Sequence, residues 1–286
     1  MTGLYLYYYE AHIHGILFFS SRVYPAGGKA RGTAEETAPY IHNYSLTYAV
    51  NGMPAEAYGV NPSLHYNSLG GAKKRGPVLQ YPFIDHVLGC LVDPGCGRSA
   101  AYAYPAAPLR VRAQRFFMSI RTHSYGEFRG RLKTVYPRSA TLIGLAPGSI
   151  LKGFIASTRP LPDRIYTRIG MKRTGALLLV LREASVEGRL EGEAYTTHPV
   201  NIGDTLYMGY RLSDANVVLE TRSIPFRGGR PCADCARVGY VKARGLYLVS
   251  YRVAARRRLA IIPLPPARVE APPKPPGALG AVEPAW

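Results

Sequence analysis

The apolar segments of this chain are short, and nearly all of them have the pattern of β-strands. Leu4-Tyr-Leu-Tyr-Tyr-Tyr9 opens the sequence with aromatic residues that suit half-buried sheet positions. It runs on into Ile16-Leu-Phe-Phe19, and further strands are expected at 110–113, 116–121 and 150–157. Ala176-Leu-Leu-Leu-Val-Leu181 is a continuous apolar run that reads as a buried strand. Residues 237–253 alternate and are expected to close the sheet. Only one segment, 39–50, reads clearly as a helix. Thr37 is its expected cap, Pro39 sits in its first turn, and Asn51-Gly52 stops it. Its apolar residues lie nearly all round, which predicts a packed helix.

At 286 residues and 47% hydrophobic, the chain can bury the core of one elaborated domain or two small ones. No stretch approaches the roughly 20 apolar residues of a membrane span. The longest, Ala140 to Ala156, is broken by Pro147, Gly148 and Lys152. The start has no positive charge ahead of an apolar core, so a cytoplasmic protein with no membrane partner is expected. Residues 53–109 are rich in Pro, Gly and Tyr and read as an insertion or long hairpin. Residues 263–286 hold eight prolines and read as a disordered or polyproline-II tail.

Charge is segregated. Residues 101–180 carry 14 Lys/Arg against 2 acids, whereas residues 1–100 carry 7 against 6. Solubility alone does not require this, and a block of guanidinium groups implies a polyanionic partner such as a phosphate backbone. Arg129, Arg131 and Lys133 alternate along one strand face, about 7 Å apart, with Arg121 before them and Arg138 after. Charge can also protect an exposed edge strand, but the acids that would balance such an edge are missing here. Arg164, Arg168, Lys172 and Arg173 form a second cluster. Lys29 and Arg31, in a glycine-rich loop at 26–32, add two more cations able to reach phosphate. The 22 tyrosines suit sheets and also suit stacking on unpaired bases.

Motifs for chemistry are sparse. There is no Walker sequence, no His-Glu-x-x-His and no Gly-x-Ser-x-Gly, and no cofactor is expected. His12 and His14 share a strand face with Glu10, which reads as a polar sheet face rather than a metal or acid–base site. Cys90, Cys96, Cys232 and Cys235 form two local pairs. Cys-x-x-Cys is a metal spacing but Cys-x5-Cys is loose for one, so disulfides or buried thiols are favoured over zinc.

Four stretches, in order, carry a resemblance. They are His14-Gly-Ile-Leu-Phe-Phe-Ser-Ser-Arg22 followed by Pro39-Tyr-Ile-His-Asn-Tyr-Ser-Leu-Thr-Tyr48, then Leu145-Ala-Pro-Gly-Ser149, then His198-Pro-Val-Asn201. With Arg168-Ile-Gly170 they resemble the type I-D CRISPR-associated Csc-one subunit, the Cas-five-like member of Cascade, over about residues 4–205. The resemblance implies an α+β fold with a RAMP-type ferredoxin-like (RRM-like) core, a long β-hairpin insertion and an additional C-terminal β region. The boundaries expected are 1–160 for the core, with the insertion at about 53–125, then 161–262 for the C-terminal region and 263–286 for the tail.

It also implies a non-catalytic role, holding the 5′ handle of the guide RNA. The implied protein partners are the large and backbone subunits of Cascade, with target double-stranded DNA a further plausible contact. The expected RNA-binding residues are Arg22, Lys29, Arg31, His42, Asn43, Tyr44, Arg121, Arg129, Arg131, Lys133, Arg138, Arg168, Lys172 and Arg173. Where the family tends to show Arg-x-Lys before Leu-Ala-Pro-Gly-Ser, this chain has Thr141 and Ile143, so Arg129, Arg131, Lys133 and Arg138 are expected to substitute. The alternative is a metal-independent endoribonuclease that processes the guide precursor, with His123, Tyr125 and Lys133 as its acid–base set.

Overall fold

The structure, a computed structural model, describes residues 4–19, 22–25, 33–52, 82–120, 138–170, 175–220, 226–227, 230–232, 234–269 and 273–274. The first elements are β1 (Tyr5–Ile13), β2 (Arg22–Pro25), β3 (Thr33–Glu36), α1 (Asn43–Val50) and α2 (Pro82–Val92). Next come β4 (Ala101–Ala103), β5 (Ala107–Arg110), β6 (Ala113–Ile120), β7 (Arg138–Leu145), β8 (Ile150–Ser157), β9 (Arg164–Ile169) and β10 (Gly175–Leu190). They are followed by β11 (Glu193–Tyr195), β12 (Val200–Asn201), α3 (Ile202–Tyr207) and β13 (Leu212–Glu220). The last are β14 (Phe226–Arg227), β15 (Arg230–Pro231), β16 (Arg237–Arg244), β17 (Tyr247–Val253), β18 (Arg256–Ile262) and β19 (Pro273–Lys274).

The central sheet runs β18-β17-β10-β1-β8-β4, with β5 also on β8, and β9 and β19 also on β10. All its pairings are antiparallel except that of β19 with β10. A second sheet gathers β11, β12 and β13 around β16. A third runs β2-β3-β7-β6, and β14 pairs with β15. The expected α+β class is therefore met by mostly antiparallel sheet with few helices. Among the described residues, no helix is long and apolar enough to cross a membrane. Strands from 1–160 and from 161–262 interleave in the central sheet, so residue 160 marks no gap between sheets.

Side chains alternate across β1 and β10, and the two faces are covered at opposite ends. Tyr7, Tyr9, Ala11 and Ile13 join Leu177, Leu179 and Leu181 in one core, which α1 closes with Leu46 and Val50. Leu6 and Tyr8 point the other way, into a second core with Phe154, α2 and strands β16 to β18. Gly153 lies opposite Tyr9, and a Cβ there would occupy the space of the Tyr9 ring. The glycine lets that ring lie across β8 and donate its hydroxyl to the Tyr104 carbonyl at 3.0 Å.

Several sequence expectations are corrected. The first helix begins at Asn43, not Pro39, because Ile41 exchanges backbone hydrogen bonds with Ala106 and holds the preceding residues extended. His42, not Thr37, is the cap, its Nδ1 accepting from the Tyr44 N–H; Thr37 instead bonds the backbone of Phe19. A second helix, α2, lies in the stretch read as irregular, with Ile84, Val87, Leu88 and Leu91 buried at helical spacing. Residues 237–253 split at Gly245, and only β17 joins the central sheet. The start of the expected tail is packed: Leu264 is buried, its carbonyl accepts from the Tyr210 hydroxyl, and Arg268 donates to the Cys90, Leu91 and Asp93 carbonyls at the end of α2.

One buried polar network joins α1, β4 and α3. Asp204 accepts from Asn43 Nδ2 (2.8 Å), Tyr102 OH (2.7 Å) and Tyr44 OH (3.1 Å). Asn201 donates to Asn43 Oδ1 (3.0 Å) and the Cys235 carbonyl (2.9 Å), and its own Oδ1 accepts from the Asp204 N–H at the start of α3. Asn43, Asn201 and Asp204 are fully buried, so each lost partner leaves a polar atom without water to replace it. Asn43→Ala is expected to cost about 2–4 kcal/mol in denaturant unfolding. A loss below about 1 kcal/mol would show that the network contributes little.

Candidate nucleic-acid interface

The half of the central sheet that the second core leaves uncovered is lined by cations and apolar side chains. Antiparallel pairing places Arg164, Val180, Glu10 and Lys152 in one row across β9, β10, β1 and β8. The next row reads Tyr166, Leu178, His12 and Ile150, with Arg110 of β5 beside Ile150. Arg168 and Ala176 begin a third, and Arg182 stands opposite Tyr8 one row inward. Along β9 and β10 the residues of this face are exposed or half-buried, while their neighbours facing α1 are more deeply buried. Rows are about 7 Å apart and strands about 4.8 Å apart.

Glu10 is the one carboxylate among these rows, and it is internally engaged. Arg182 Nη1 lies 3.1 Å from it, His12 Nε2 3.4 Å, and the Tyr8 hydroxyl donates at 3.5 Å. Burial, followed by the charge of Glu10, raises the Tyr8 pKa, so Tyr8 stays a neutral donor. The Lys152 pKa is lowered by burial and then by the positive charge of Arg258. Arg164 and Arg168 are exposed, and among the described residues neither has a carboxylate partner. The surface can hold phosphate oxygens on its guanidinium and ammonium groups and offers the flat Tyr166 ring beside them. Among the described residues, no group of three or more His, Cys, Asp or Glu could hold a metal ion.

The sequence-predicted residues fall into three sets. Arg168 lies on this surface, as does its neighbour Arg164 from the same cluster. Glu10 and His12 form the polar sheet face expected of them, and His14 lies just beyond the strand. His42, Asn43 and Tyr44 do not form part of it. Asn43 and Tyr44 are buried in the Asp204 network, and His42 caps α1 with its Nε2 3.2 Å from the Cys235 carbonyl. With Nδ1 accepting, the Nε2–H donates, which fixes a neutral tautomer. All three side chains are engaged in bonds within the fold.

Arg22 and Arg138 begin β2 and β7 of the third sheet. Lys29, Arg31, Arg121, His123, Tyr125, Arg129, Arg131, Lys133, Lys172 and Arg173 lie outside the described residues. The cysteines are paired as Cys90–Cys96 and Cys232–Cys235, so their sulfurs are engaged in disulfides rather than in a shared zinc site. Sequence reasoning missed Tyr166, Lys152, Arg182 and Arg110. The alternation Arg164-x-Tyr166-x-Arg168 was the available signal for Tyr166; the others are brought in by register across three strands.

The stretches that carried the resemblance are mostly architectural. Gly148, at φ +83°, turns the chain between β7 and β8, and Ser149 behind it is buried against the Arg112 backbone. His198 Nε2 lies 2.7 Å from the Pro105 carbonyl, and Asn201 caps α3. A family model described as type I-D CRISPR-associated protein Cas5/Csc1 matches residues 4–221. No curated protein matches the chain.

Burial lowers His42 to about 4 and His198 to about 3, each opposed in part by its backbone hydrogen bond. Both return to about 6.5 on unfolding, so the unfolded chain binds more protons in between, and stability falls as pH drops from about 6.5 toward those values. Near pH 5 each histidine should contribute a slope of about 1.4 kcal/mol per pH unit. His198→Gln should remove one such slope from unfolding free energies measured between about pH 5 and about pH 6. An unchanged slope would mean that His198 titrates alike in both states.

Proposed function

We propose, because the chain belongs to the type I-D CRISPR-associated Cas5/Csc1 family, that this Cascade subunit is non-catalytic and holds the 5′ handle of the guide RNA. The observation that carries the reading is the open half-sheet, where Arg164, Arg168, Lys152, Arg182 and Arg110 surround a single, internally engaged carboxylate. A flat surface of this kind suits single-stranded RNA, which can lay phosphates on cations and turn its bases onto the sheet.

The topology supports a RAMP-type ferredoxin-like core. Strands β10, β1, β8 and β4 lie in that spatial order and antiparallel, and α1 runs between β1 and β4 in the chain and packs on one face. β9 occupies the stretch between β8 and β10 where the usual core has its second helix.

The third sheet bears on the basic segments. β2 ends and β3 begins at the same sheet end at which β6 ends and β7 begins, since Thr33 pairs with both Pro25 and Ala140, and Ala140 with Met118. In this reading Lys29, Arg31, Arg121, Arg129, Arg131 and Lys133, which follow in the connecting segments, add phosphate contacts with Arg138, Lys172 and Arg173. The large and backbone subunits and target duplex are the further partners proposed.

Binding of a handle oligonucleotide should weaken with salt. Replacing Arg164 and Arg168 together by Gln should lower the slope of log affinity against log salt by about 1.4, or 0.7 per lost single-strand contact. An unchanged slope would remove this face from the RNA path. Guide RNAs that co-purify with the assembly should share one repeat-derived 5′ end, and heterogeneous ends from an intact assembly would defeat the handle assignment.

A further inference from the structure

Phosphate binding accounts for the arginines of β9 but not for the residue between them. Tyr166 is 73% exposed, more than any other large hydrophobic side chain among the described residues. Tyr8, Tyr9, Tyr102, Tyr104 and Tyr247 are all but fully buried, and even the exposed Tyr5, Tyr195 and Tyr207 are less open than Tyr166. Tyr166 has no such packing role. It stands in the middle of Arg164-x-Tyr166-x-Arg168, so all three side chains share one face, with the two arginines about 13 Å apart.

Its row continues across the sheet. Leu178 is its direct neighbour on β10, and His12 follows on β1. Two strand spacings separate the phenol from the imidazole, about 10 Å, with an aliphatic side chain between them. The His12 ring is held at one edge by Glu10, and its side chain is 33% exposed. Two rings on an apolar floor, flanked by cations, form a surface for bases rather than for phosphates alone.

We propose that Tyr166 is the stacking platform for one unpaired base of the bound RNA, and that His12 receives the neighbouring base. Arg164 and Arg168 take the phosphates on either side of the first nucleotide. The inference rests on the RNA-binding reading of this face and adds to it a nucleobase site, for which an unpaired nucleotide is required.

The test uses the full chain and single-stranded handle RNA in which successive bases are replaced by the fluorescent analogue 2-aminopurine. Quenching is expected at one or two adjacent positions. Tyr166→Ala should abolish it at one position and weaken binding about 10-fold, with the salt slope unchanged. Tyr166→Phe, which keeps the ring, should retain both quenching and affinity. The exposed position makes both variants tolerable to the fold, checked by an unaltered unfolding midpoint.

If Tyr166→Ala leaves quenching and affinity intact while Arg164→Gln/Arg168→Gln still lowers the salt slope, RNA binding stands and the base site is wrong. If neither changes anything, the RNA reading of the face fails and the base site with it. Loss of binding in Tyr166→Phe equal to that in Tyr166→Ala would assign the effect to the hydroxyl and overturn stacking.

Discussion

The open face of the central sheet depends on the period of two in β10, the longest strand among the described residues. From Gly175 to Val186 β10 turns alternate side chains to opposite faces, before its register shifts between Val186 and Gly188. At its start, Leu177, Leu179 and Leu181 are buried in the core that α1 closes. Beyond that shift, Leu190 joins the core of α2 and the strands after β15. What lies behind the first core is therefore left for solvent or a ligand. Val180 and Leu178 project there because their neighbours must project inward. The proposed binding surface is the reverse side of a packing arrangement, extended at its edge by β9.

The junction between the two cores is polar, and this explains an apparent mismatch between motif and function. Asn43 and Asn201 come from separate stretches that mark the family resemblance, and they meet at 3.0 Å beside Asp204. An aspartate this deep requires several donors in fixed positions; Asn43 and Tyr44 at the start of α1 donate to it together with Tyr102, while Asn201 at the start of α3 holds Asn43 in place. The geometry tolerates few residue types. Gly203 adds to the constraint, since a Cβ there would press on Cys235, whose carbonyl receives both Asn201 and His42. Motifs of this sort identify a fold. In this one, Asn43 and Tyr44 are engaged by Asp204 and His42 by the cap of α1.

The strands were legible in the sequence, because alternation and apolar runs are local signals: 150–157 emerges as read, and 176–181 forms part of β10. The second helix carried an equally local signal, with buried positions 84, 87, 88 and 91, but proline and glycine in the surrounding stretch obscured it. The packed segment at 263–269 was not legible. Its anchors are the hydroxyls of Tyr104 and Tyr210 and the carbonyls around Cys90, all distant in sequence. The open face lies between these cases. Arg164 and Arg168 could be found as a cluster, whereas Glu10, Lys152 and Arg182 become neighbours only through the register of β1 with β8 and β10.

The composition of that face bears on which polyanion it would suit. A duplex presents phosphates and sugars outward and keeps its base faces stacked, so it could satisfy the cations and still leave Leu178, Ile150, Val180 and the Tyr166 ring against water. A single strand can satisfy both kinds of group, because its bases are free to turn toward the sheet while its phosphates reach the arginines. Glu10 sharpens the contrast. By engaging Arg182 it offsets charge in the middle of the face, leaving the exposed guanidinium groups on the β9 side. A surface selected for duplex phosphate would gain by losing that carboxylate. A surface that seats bases in the middle and phosphates at the margin gains by keeping it.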